Sequence, residues 1–245
     1  MKFDSRELQA VAAAEPARVD LYAGIHKALR AMLTETLLAL GRLDMDDPDE
    51  ISAVSARIDT MLDFCASHVQ HENDFVHVAI EARAAGASAA ITHDHEEHMA
   101  RIAQLKVKLA GLTQTAAGQE AAAAALNLYR DLALFVADNF QHMQVEETAH
   151  NAVLWARYTD AELLALHDRL LASIPPDEMM LVLRWLVPSM NPAERTALFK
   201  DMQTHAPAPV FEATLAMVKA HLTTRAWAKL THSLGLTSVP DPVAV

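Results

Sequence analysis

HVQHE, residues 68–72, and HMQVE, residues 142–146, are the two segments of this chain that say most about its fold. Each places a glutamate four residues after a histidine, and positions i and i+4 lie one turn apart on the same face of an α-helix. Each stretch can therefore direct two metal-binding groups at one point. The composition favours helices, because Ala and Leu are abundant and glycine supplies only 6 of the 245 residues.

Apolar residues recur at helical spacing in four long stretches around these two segments. The first begins near Pro16 and the second at Pro48, because proline is favoured in the first turn of a helix. The third starts at about Ser88, and the fourth runs from Gln119 to about Tyr158. The predicted core-facing stripes are Val19, Tyr22, His26, Leu29, Leu33 and Leu40 in the first; Ile58, Leu62, Cys65, His68, Glu72, Val76 and Ala79 in the second; Ile91, His95, His98, Ile102, Leu105 and Leu109 in the third; and Leu128, Leu132, Phe135, Asn139, His142, Glu146, Ala149 and Val153 in the fourth.

This pattern predicts an all-α fold, an antiparallel up-down four-helix bundle with a short leading helix (Phe3 to Ala14) and a C-terminal helical extension. We assign residues 1–158 to the bundle and residues 159–245 to the extension, which ends in a loose tail from Leu236. Prolines separate the shorter helices of the extension, and Asn191-Pro192-Ala193-Glu194 has the residue types of a helix start. The extension is expected to pack against the bundle or against a second subunit, which would make the protein a homodimer.

Charge and composition exclude several classes of partner. The formal net charge is -12, with 32 acidic and 20 basic residues, so the surface should repel nucleic acid and anionic membranes. A single cysteine, Cys65, excludes an internal disulfide and a metal cluster built from cysteines. The N-terminal residues lack the pattern of a signal peptide, and no run of about 18 apolar residues occurs. The cytoplasm is the expected location.

Each of the four predicted stripes carries a histidine that could face the centre of the bundle: His26, His68, His95 and His142. Glu72 and Glu146 add a carboxylate on two of them. Imidazoles and carboxylates that bridge two ions suit a non-haem di-iron centre better than calcium or magnesium, which prefer oxygen ligands. A lone histidine on an apolar face is usually a hydrogen-bonded core residue. Two buried glutamates in the same layer favour the metal instead, because an unpaired buried carboxylate costs several kcal/mol.

The spacing of these residues agrees with a single layer of ligands. In an up-down bundle with short turns, residues at equal depth are mirrored about each turn. The midpoints between successive ligand sets fall on Pro48, within four residues of Gly86, and beside Gly118. Proline and glycine are typical of turns and helix ends, so independent signals mark the turns where a shared layer needs them.

Three further histidines are predicted to lie off the core stripes, solvated or beside a ligand: His71, His77 and His93. His98 lies one turn from His95 on the same face, where it could be a ligand or a neighbour of the centre. Glu147 and His150 form the Glu-x-x-His arrangement that a ferritin-like site requires twice. This arrangement occurs only once in the sequence, so a ferritin-like site is the weaker alternative.

Residues 17–158 resemble the hemerythrin family, in its branch of histidine–histidine–glutamate cation-binding domains. The resemblance rests on His26, HVQHENDFVH (68–77), DHEEH (94–98) and HMQVE (142–146). A glutamate at the fourth position after the last histidine is similar to the bacterial bridging-glutamate subgroup of this family. Residues 159–234 are similar to the C-terminal extension of many bacterial hemerythrin-domain proteins.

The resemblance implies a di-iron site that binds O₂, NO or a related small ligand. The expected arrangement has His26 and His68 at one iron, His95 and His142 at the other, and Glu72 and Glu146 as bridges together with a solvent-derived oxo or hydroxo group. We expect a pocket lined by Leu and Ala to protect the bound ligand. Two functions stay open: a binding protein that senses, stores or scavenges O₂, NO or iron, and a di-iron enzyme that reduces peroxide or NO. Binding is favoured because the sequence has no electron-transfer partner domain.

Overall fold

A computed structural model of the protein describes residues 18–114 and 118–236. Across these residues the chain is helical and forms no strand. The predicted leading helix, Phe3 to Ala14, and the tail beyond Leu236 lie outside the described residues. No described helix is long and apolar enough to span a membrane.

Two compact units divide the chain, Met1–Ser173 and Ile174–Val245. The first unit contains four long helical rods, two of which are interrupted by a π-helical turn. The elements of this unit are α1 (Ala23–Gly41), α2 (Pro48–His71), π1 (Glu72–His77), α3 (Val78–Arg83), α4 (Ala89–Gln114), α5 (Gln119–Val145), π2 (Glu146–His150), α6 (Asn151–Arg157) and α7 (Asp160–Ser173). The second rod thus comprises α2, π1 and α3, and the fourth comprises α5, π2 and α6.

The four rods pack as a closed bundle. Helix α1 contacts α2 and α5, and α4 contacts the same two helices from the other side. Consecutive rods pack side by side although only short turns join them, which requires an antiparallel arrangement. The predicted all-α fold and the four-helix bundle are confirmed.

Turns form where the sequence predicted them. Pro48 is the first residue of α2, and the Asp47 carboxylate caps that helix by accepting hydrogen bonds from the backbone N–H groups of Asp49 (2.9 Å) and Glu50 (3.1 Å). Gly86, in the turn before α4, has a φ of 81°, in the left-handed region that disfavours residues with a Cβ. Pro48 therefore marks the start of the second rod, and Gly86 marks the turn before the third rod.

The first long helix begins at Ala23, not near Pro16 as predicted. The Asp20 carboxylate accepts hydrogen bonds from the backbone N–H groups of Tyr22 (2.9 Å) and Ala23 (3.0 Å). The Arg18 guanidinium donates to two backbone carbonyl groups near the end of the fourth rod. These side-chain hydrogen bonds hold the chain before Ala23 in a non-helical conformation, because they compete with the first helical turn.

In the second rod, π1 moves the core-facing stripe by one residue. The α-helical pattern predicted Val76 and Ala79 on the core side after Glu72. Val76 is buried as expected, but Ala79 is only half-buried and Ile80 is completely buried. A π turn uses i→i+5 hydrogen bonds and contains an extra residue, so the residues that follow it face a different direction.

In the fourth rod, π2 has the same effect. The α-helical pattern predicted Ala149 and Val153 in the core. Ala149 is exposed and Val153 half-buried, whereas His150 and Leu154 are buried. The predicted stripe is therefore correct as far as Glu146 and wrong by one residue beyond it.

Helix α7 belongs to the first compact unit, whereas the sequence analysis assigned it to the extension. Leu163 of this helix is fully buried in an apolar cluster that includes Tyr22 and Leu154. The Asp160 carboxylate forms an ion pair with the Arg18 guanidinium at 2.6 Å. The contacts thus divide the chain after Ser173, beyond the boundary predicted at 158.

The second unit has its own apolar core. Its helices are α8 (Pro176–Ser189), α9 (Pro192–His205), α10 (Ala208–Lys219) and α11 (Thr224–Ser233). The buried residues of this core cluster are Leu183, Val187, Phe199, Val218, Leu230 and Leu234. The predicted start of α9 is confirmed, because Asn191 and Glu194 form a capping box in which each side chain accepts a hydrogen bond from the backbone of the other.

Candidate metal centre

The six residues predicted as ligands converge at one depth in the bundle, with one histidine from each rod. They form two groups whose ligand atoms lie within 4.8 Å of one another: His26, His68, Glu72 and Glu146 in the first, and Glu72, His95, His142 and Glu146 in the second. Both glutamates belong to both groups. His68 keeps slight solvent exposure, and the other five residues are buried.

Glu72 presents one carboxylate oxygen to each group. Its Oε1 lies 3.1 Å from Nε2 of His68 and 3.5 Å from Nε2 of His26. Its Oε2 lies 3.4 Å from Nε2 of His95, which belongs to the second group. This is the arrangement of a carboxylate that bridges two ions.

Glu146 is arranged in the same way from the opposite rod. Its Oε2 lies 3.5 Å from Nε2 of His26. Its Oε1 lies 3.5 Å from Nε2 of His95 and 3.3 Å from Nε2 of His142. The Nε2 atoms of His95 and His142 are 3.0 Å apart. Two nitrogen ligands at right angles, each roughly 2.1 Å from a shared ion, stand about this far apart.

The atoms that face the centre are suited to a cation. Nε2 of His26, Nε2 of His68 and both oxygens of Glu72 and Glu146 are buried without a hydrogen-bond partner. Leaving such groups unpaired away from water costs several kcal/mol, most of all for a carboxylate. A cation bound among them would satisfy all of these atoms at once.

The outward-facing nitrogens of two histidines are held by neighbouring side chains. Nδ1 of His26 lies 3.0 Å from Oε1 of Glu147, and the Arg30 guanidinium donates to both oxygens of that carboxylate, at 2.5 Å to Oε1 and 3.1 Å to Oε2. Nδ1 of His95 lies 2.8 Å from the side-chain oxygen of Asn73. An imidazole whose Nδ1–H donates in this way presents Nε2 as a bare lone pair, the form that binds metals.

Without a cation, protons on the histidines balance the buried carboxylates. Burial by itself would lower the pKa of His26 and His95, but the surrounding glutamate carboxylates favour the charged imidazoles more strongly and raise both pKa values to about 9. Burial and the charge of Glu72 would raise the pKa of Glu146, yet the nearby imidazoles of His142 and His95 favour its charged form and lower that pKa to about 2. A bound cation would balance the carboxylate charges in place of these protons.

Comparison with known families agrees with this geometry. The model of the Hemerythrin HHE cation binding domain matches residues 18–150, more than half of the chain and all six residues of the centre. The chain belongs to this family. Membership implies that the His and Glu cluster binds a metal, typically iron. No curated protein and no solved structure matched the chain.

The hemerythrin domain contains a buried histidine that the α-helical pattern placed off the core. His77 is 5% exposed, and its ring stacks on that of His95 with 4.8 Å between the centroids. The cause is π1, because a π turn brings residue i+5 back over residue i, and His77 is the fifth residue after Glu72. Of the two predicted environments, solvated or beside a ligand, the structure shows the second.

His150 is another buried histidine outside the six predicted ligands. It is 2% exposed and forms a third group of candidate ligands with His77 and Glu146. Glu147 points elsewhere, toward Arg30 and His26, so Glu147 and His150 do not act as the Glu-x-x-His pair of a ferritin-like site. The spacing of His150 four residues after Glu146 was a usable signal.

His98 lies behind the second group rather than in it. Its ring contacts that of His142 edge-on, with 4.7 Å between the centroids, and it belongs to none of the three groups. Burial, together with the neighbouring His142 and His95, lowers its pKa to about 3. His93, by contrast, is exposed beside Glu96 and Glu97, as predicted.

A cavity of about 530 Å³ adjoins the centre, and His98 and His142 form part of its lining. Most of the remaining lining is polar and includes Asp94, Arg101 and Asp138. The expectation of a pocket lined by Leu and Ala is wrong for this cavity. It offers a small polar molecule a path to His142, because that histidine lines the cavity and also faces Glu146.

Proposed function

We propose that the hemerythrin domain of this protein holds two iron ions and binds O₂, NO or a related small ligand reversibly, in sensing, storage, scavenging or iron handling. One observation carries the proposal. Glu72 and Glu146 each direct one oxygen toward the histidines of the first group and the other oxygen toward those of the second. Two carboxylates with this orientation are suited to hold two ions side by side.

The ligand set favours iron over other common cations. Each ion would receive two imidazole nitrogens and one oxygen from each glutamate. Four protein ligands would close a tetrahedral zinc site but leave two open positions on a six-coordinate iron. Calcium and magnesium prefer oxygen ligands. When bound, a ferrous pair supplies electrons and open coordination positions to a small ligand.

The side chains around the centre prepare it for this role. Glu147 and Asn73 orient the rings of His26 and His95 through Nδ1, which keeps Nε2 free for the metal. The burial of both glutamates excludes bulk water from the ligands. The cavity beside His142 supplies a route for a molecule the size of O₂ or NO.

Metal analysis tests the proposal directly. Protein purified with iron available is expected to contain about two irons per chain and to show the near-ultraviolet charge-transfer bands of a ferric pair. The reduced protein, mixed rapidly with O₂ or NO, is expected to form an adduct that reverses when the gas is removed. Zinc as the only metal, or well below one iron per chain, would contradict the assignment.

The polar cavity supports a second candidate, a di-iron enzyme that reduces peroxide or NO. Such a reaction needs protons as well as electrons, and His98 with the charged groups around it lies where protons could be delivered. Repeated fast turnover with a chemical reductant, slowed strongly by His98→Leu but not by His93→Leu, would favour this enzyme. A persistent reversible adduct in all three proteins would favour binding.

A further inference from the structure

Each of the two ligand-bearing segments is followed by one more histidine. His77 stands five residues after Glu72, and His150 stands four residues after Glu146. In both rods a π turn extends from the glutamate to the histidine, as Glu72–His77 and Glu146–His150. π turns are rare inside α-helices, and those that occur often lie at functional sites. Their repetition at equivalent points of the two rods suggests a shared purpose for the two histidines.

The two histidines meet in the interior of the bundle, beside Glu146. One ligand atom from each of His77, His150 and Glu146 lies within 4.8 Å of the other two. The exposed fractions are 5% for His77, 2% for His150 and 0% for Glu146. The two rings contact each other edge-on at 5.3 Å. The cluster is as deeply buried as the main centre.

Neighbouring hydroxyl groups occupy the outer nitrogens of both rings. Nδ1 of His77 lies 3.3 Å from Oγ1 of Thr92, and that hydroxyl donates its own hydrogen to the carbonyl of Ser88 at 3.1 Å. Since Thr92 has one hydroxyl hydrogen, Nδ1–H of His77 is the donor between them, and its Nε2 is a bare lone pair. Nδ1 of His150 lies 3.1 Å from the hydroxyl of Tyr22.

The inner nitrogens, in contrast, have no partner. Nε2 of His77, Nε2 of His150 and both oxygens of Glu146 are buried without a hydrogen bond. The lone pair of His77 Nε2 and the Glu146 carboxylate therefore lie in one buried cluster, and no hydrogen bond satisfies either of them. Leaving such groups unpaired away from water costs several kcal/mol unless a cation or a donor lies between them.

We infer that His77, His150 and Glu146 form a third cation position, which takes Zn²⁺. Two imidazoles and one carboxylate are a common ligand set for zinc, and they leave a coordination position open. The inference rests on the proposed iron pair, because Glu146 is shared between them. Hydroxyl groups on Nδ1 fix each ring, as is usual for histidines that bind metals.

Zinc loading of the metal-free protein provides the test, because Zn²⁺ has no redox chemistry and can be counted. Zinc per folded chain is measured after removal of weakly bound metal, in the wild type and in His77→Gln, His150→Gln and His167→Gln. His167 is a partly buried histidine of α7 outside all three groups and serves as the matched control. Anomalous diffraction from wild-type crystals at the zinc edge locates each ion independently of the variants.

Three zinc ions in the wild type and in His167→Gln, and two in His77→Gln and His150→Gln, would support the third position. An anomalous peak next to Nε2 of both His77 and His150 would support it even if the variants fail to fold. Two ions in the wild type and in both site variants, with no such peak, would overturn the third position and leave the pair intact. Fewer than two ions in the wild type would overturn the pair and the third position together.

Discussion

At the scale of single residues, the two glutamates have more influence on the centre than any histidine. Each of the four histidines belongs to one of the two main groups, whereas Glu72 and Glu146 belong to both. Nδ1 of His26 and Nδ1 of His95 have outer partners, whereas no oxygen of the two glutamates has a hydrogen-bond partner. Loss of one carboxylate would therefore remove a candidate ligand from both groups.

We expect Glu72→Ala or Glu146→Ala to lower the iron content of the purified protein to below about one ion per chain, because a bridging ligand of both ions is removed. His93→Ala is the control, since His93 is exposed, and it should retain all of its iron. Iron is measured by elemental analysis and by the near-ultraviolet bands. If His93→Ala empties the site while His95→Ala does not, the assigned facing of α4 is incorrect.

The raised histidine pKa values predict how the stability of the metal-free protein depends on pH. His26 and His95 titrate at about 9 in the folded chain and near 6.5 when unfolded, so their stabilisation is complete below 6.5 and is lost as the pH rises through 9. We expect the free energy of unfolding to fall by a few kcal/mol between pH 6.5 and pH 9.5, because a shift of one pKa unit corresponds to roughly 1.4 kcal/mol.

Urea denaturation of the metal-free protein at several pH values measures this change. His26→Gln should flatten the profile, and His93→Gln should leave it unchanged. Glu146, whose folded pKa is lowered to about 2, contributes in the opposite range, since its stabilisation is present above pH 4.5 and is lost toward pH 2. A stability that stays constant from pH 6.5 to 9.5 would contradict the assigned charge balance.

At the scale of elements, the π turns decide which residues reach the core. In the fourth rod, the α-helical stripe would continue from Glu146 to Ala149 and Val153, yet His150 and Leu154 are the buried residues. The π turn thus acts as a one-residue insertion that the bundle accommodates. Removing one residue from the turn should return the same side chains to the core in a regular α-helix.

Two single-residue deletions in this rod test the point. Ala149 and Ala137 are both exposed alanines, but Ala149 lies in π2 and Ala137 lies in the α-helical part before it. We expect deletion of Ala149 to leave a folded protein that keeps its iron pair. Deletion of Ala137 should rotate His142 and Glu146 by about 100° about the helix axis and abolish iron binding. Thermal melting and iron content measure both effects, and equal behaviour of the two deletions would refute the register argument.

At the scale of the whole molecule, the contacts separate the metal-binding unit from the helices that follow it. All six residues of the centre precede Ser173, where the first compact unit ends. Helix α7 belongs to that unit through the burial of Leu163 and through the pairing of Glu162 with Arg83. The second unit has a separate apolar core.

A chain that ends at Ser173 is therefore expected to fold and to bind two irons with an unchanged melting temperature. A chain that ends at Tyr158 lacks α7 and should lose about 3 kcal/mol or more, because burial of one leucine alone contributes roughly 1.5–3 kcal/mol. Calorimetry and metal analysis of the two shortened chains, with the full chain as reference, measure the difference. Equal stability of both shortened chains would show that α7 is dispensable.

The role of the second unit in self-association stays a prediction. A homodimer formed through residues 174–236 would appear in light scattering of the full chain and disappear in the chain that ends at Ser173. Monomers in both cases would contradict it. The measurement is independent of the iron content, which each sample should retain.

The four-rod bundle, its turns and the convergence of six side chains could all be predicted from the sequence, because hydrophobic spacing and the His-x-x-x-Glu pairs depend only on α-helical periodicity. Pro48 and Gly86 could also be recognised from the local sequence. Proline favours the first turn of a helix, and glycine favours a positive φ in a turn. The hemerythrin resemblance drew on the same positions, and the family match confirms it.

The facing of the residues after Glu72 and Glu146 depends on how the four rods pack. A π turn differs from an α turn by one residue, and no local spacing rule signals where a bundle will accept that residue. The burial of His77, the direction of Glu147 toward Arg30, and the inclusion of α7 in the first unit all depend on partners distant in the chain. Those partners are brought together only when the four rods pack, which is why the sequence located the centre but not its full set of neighbours.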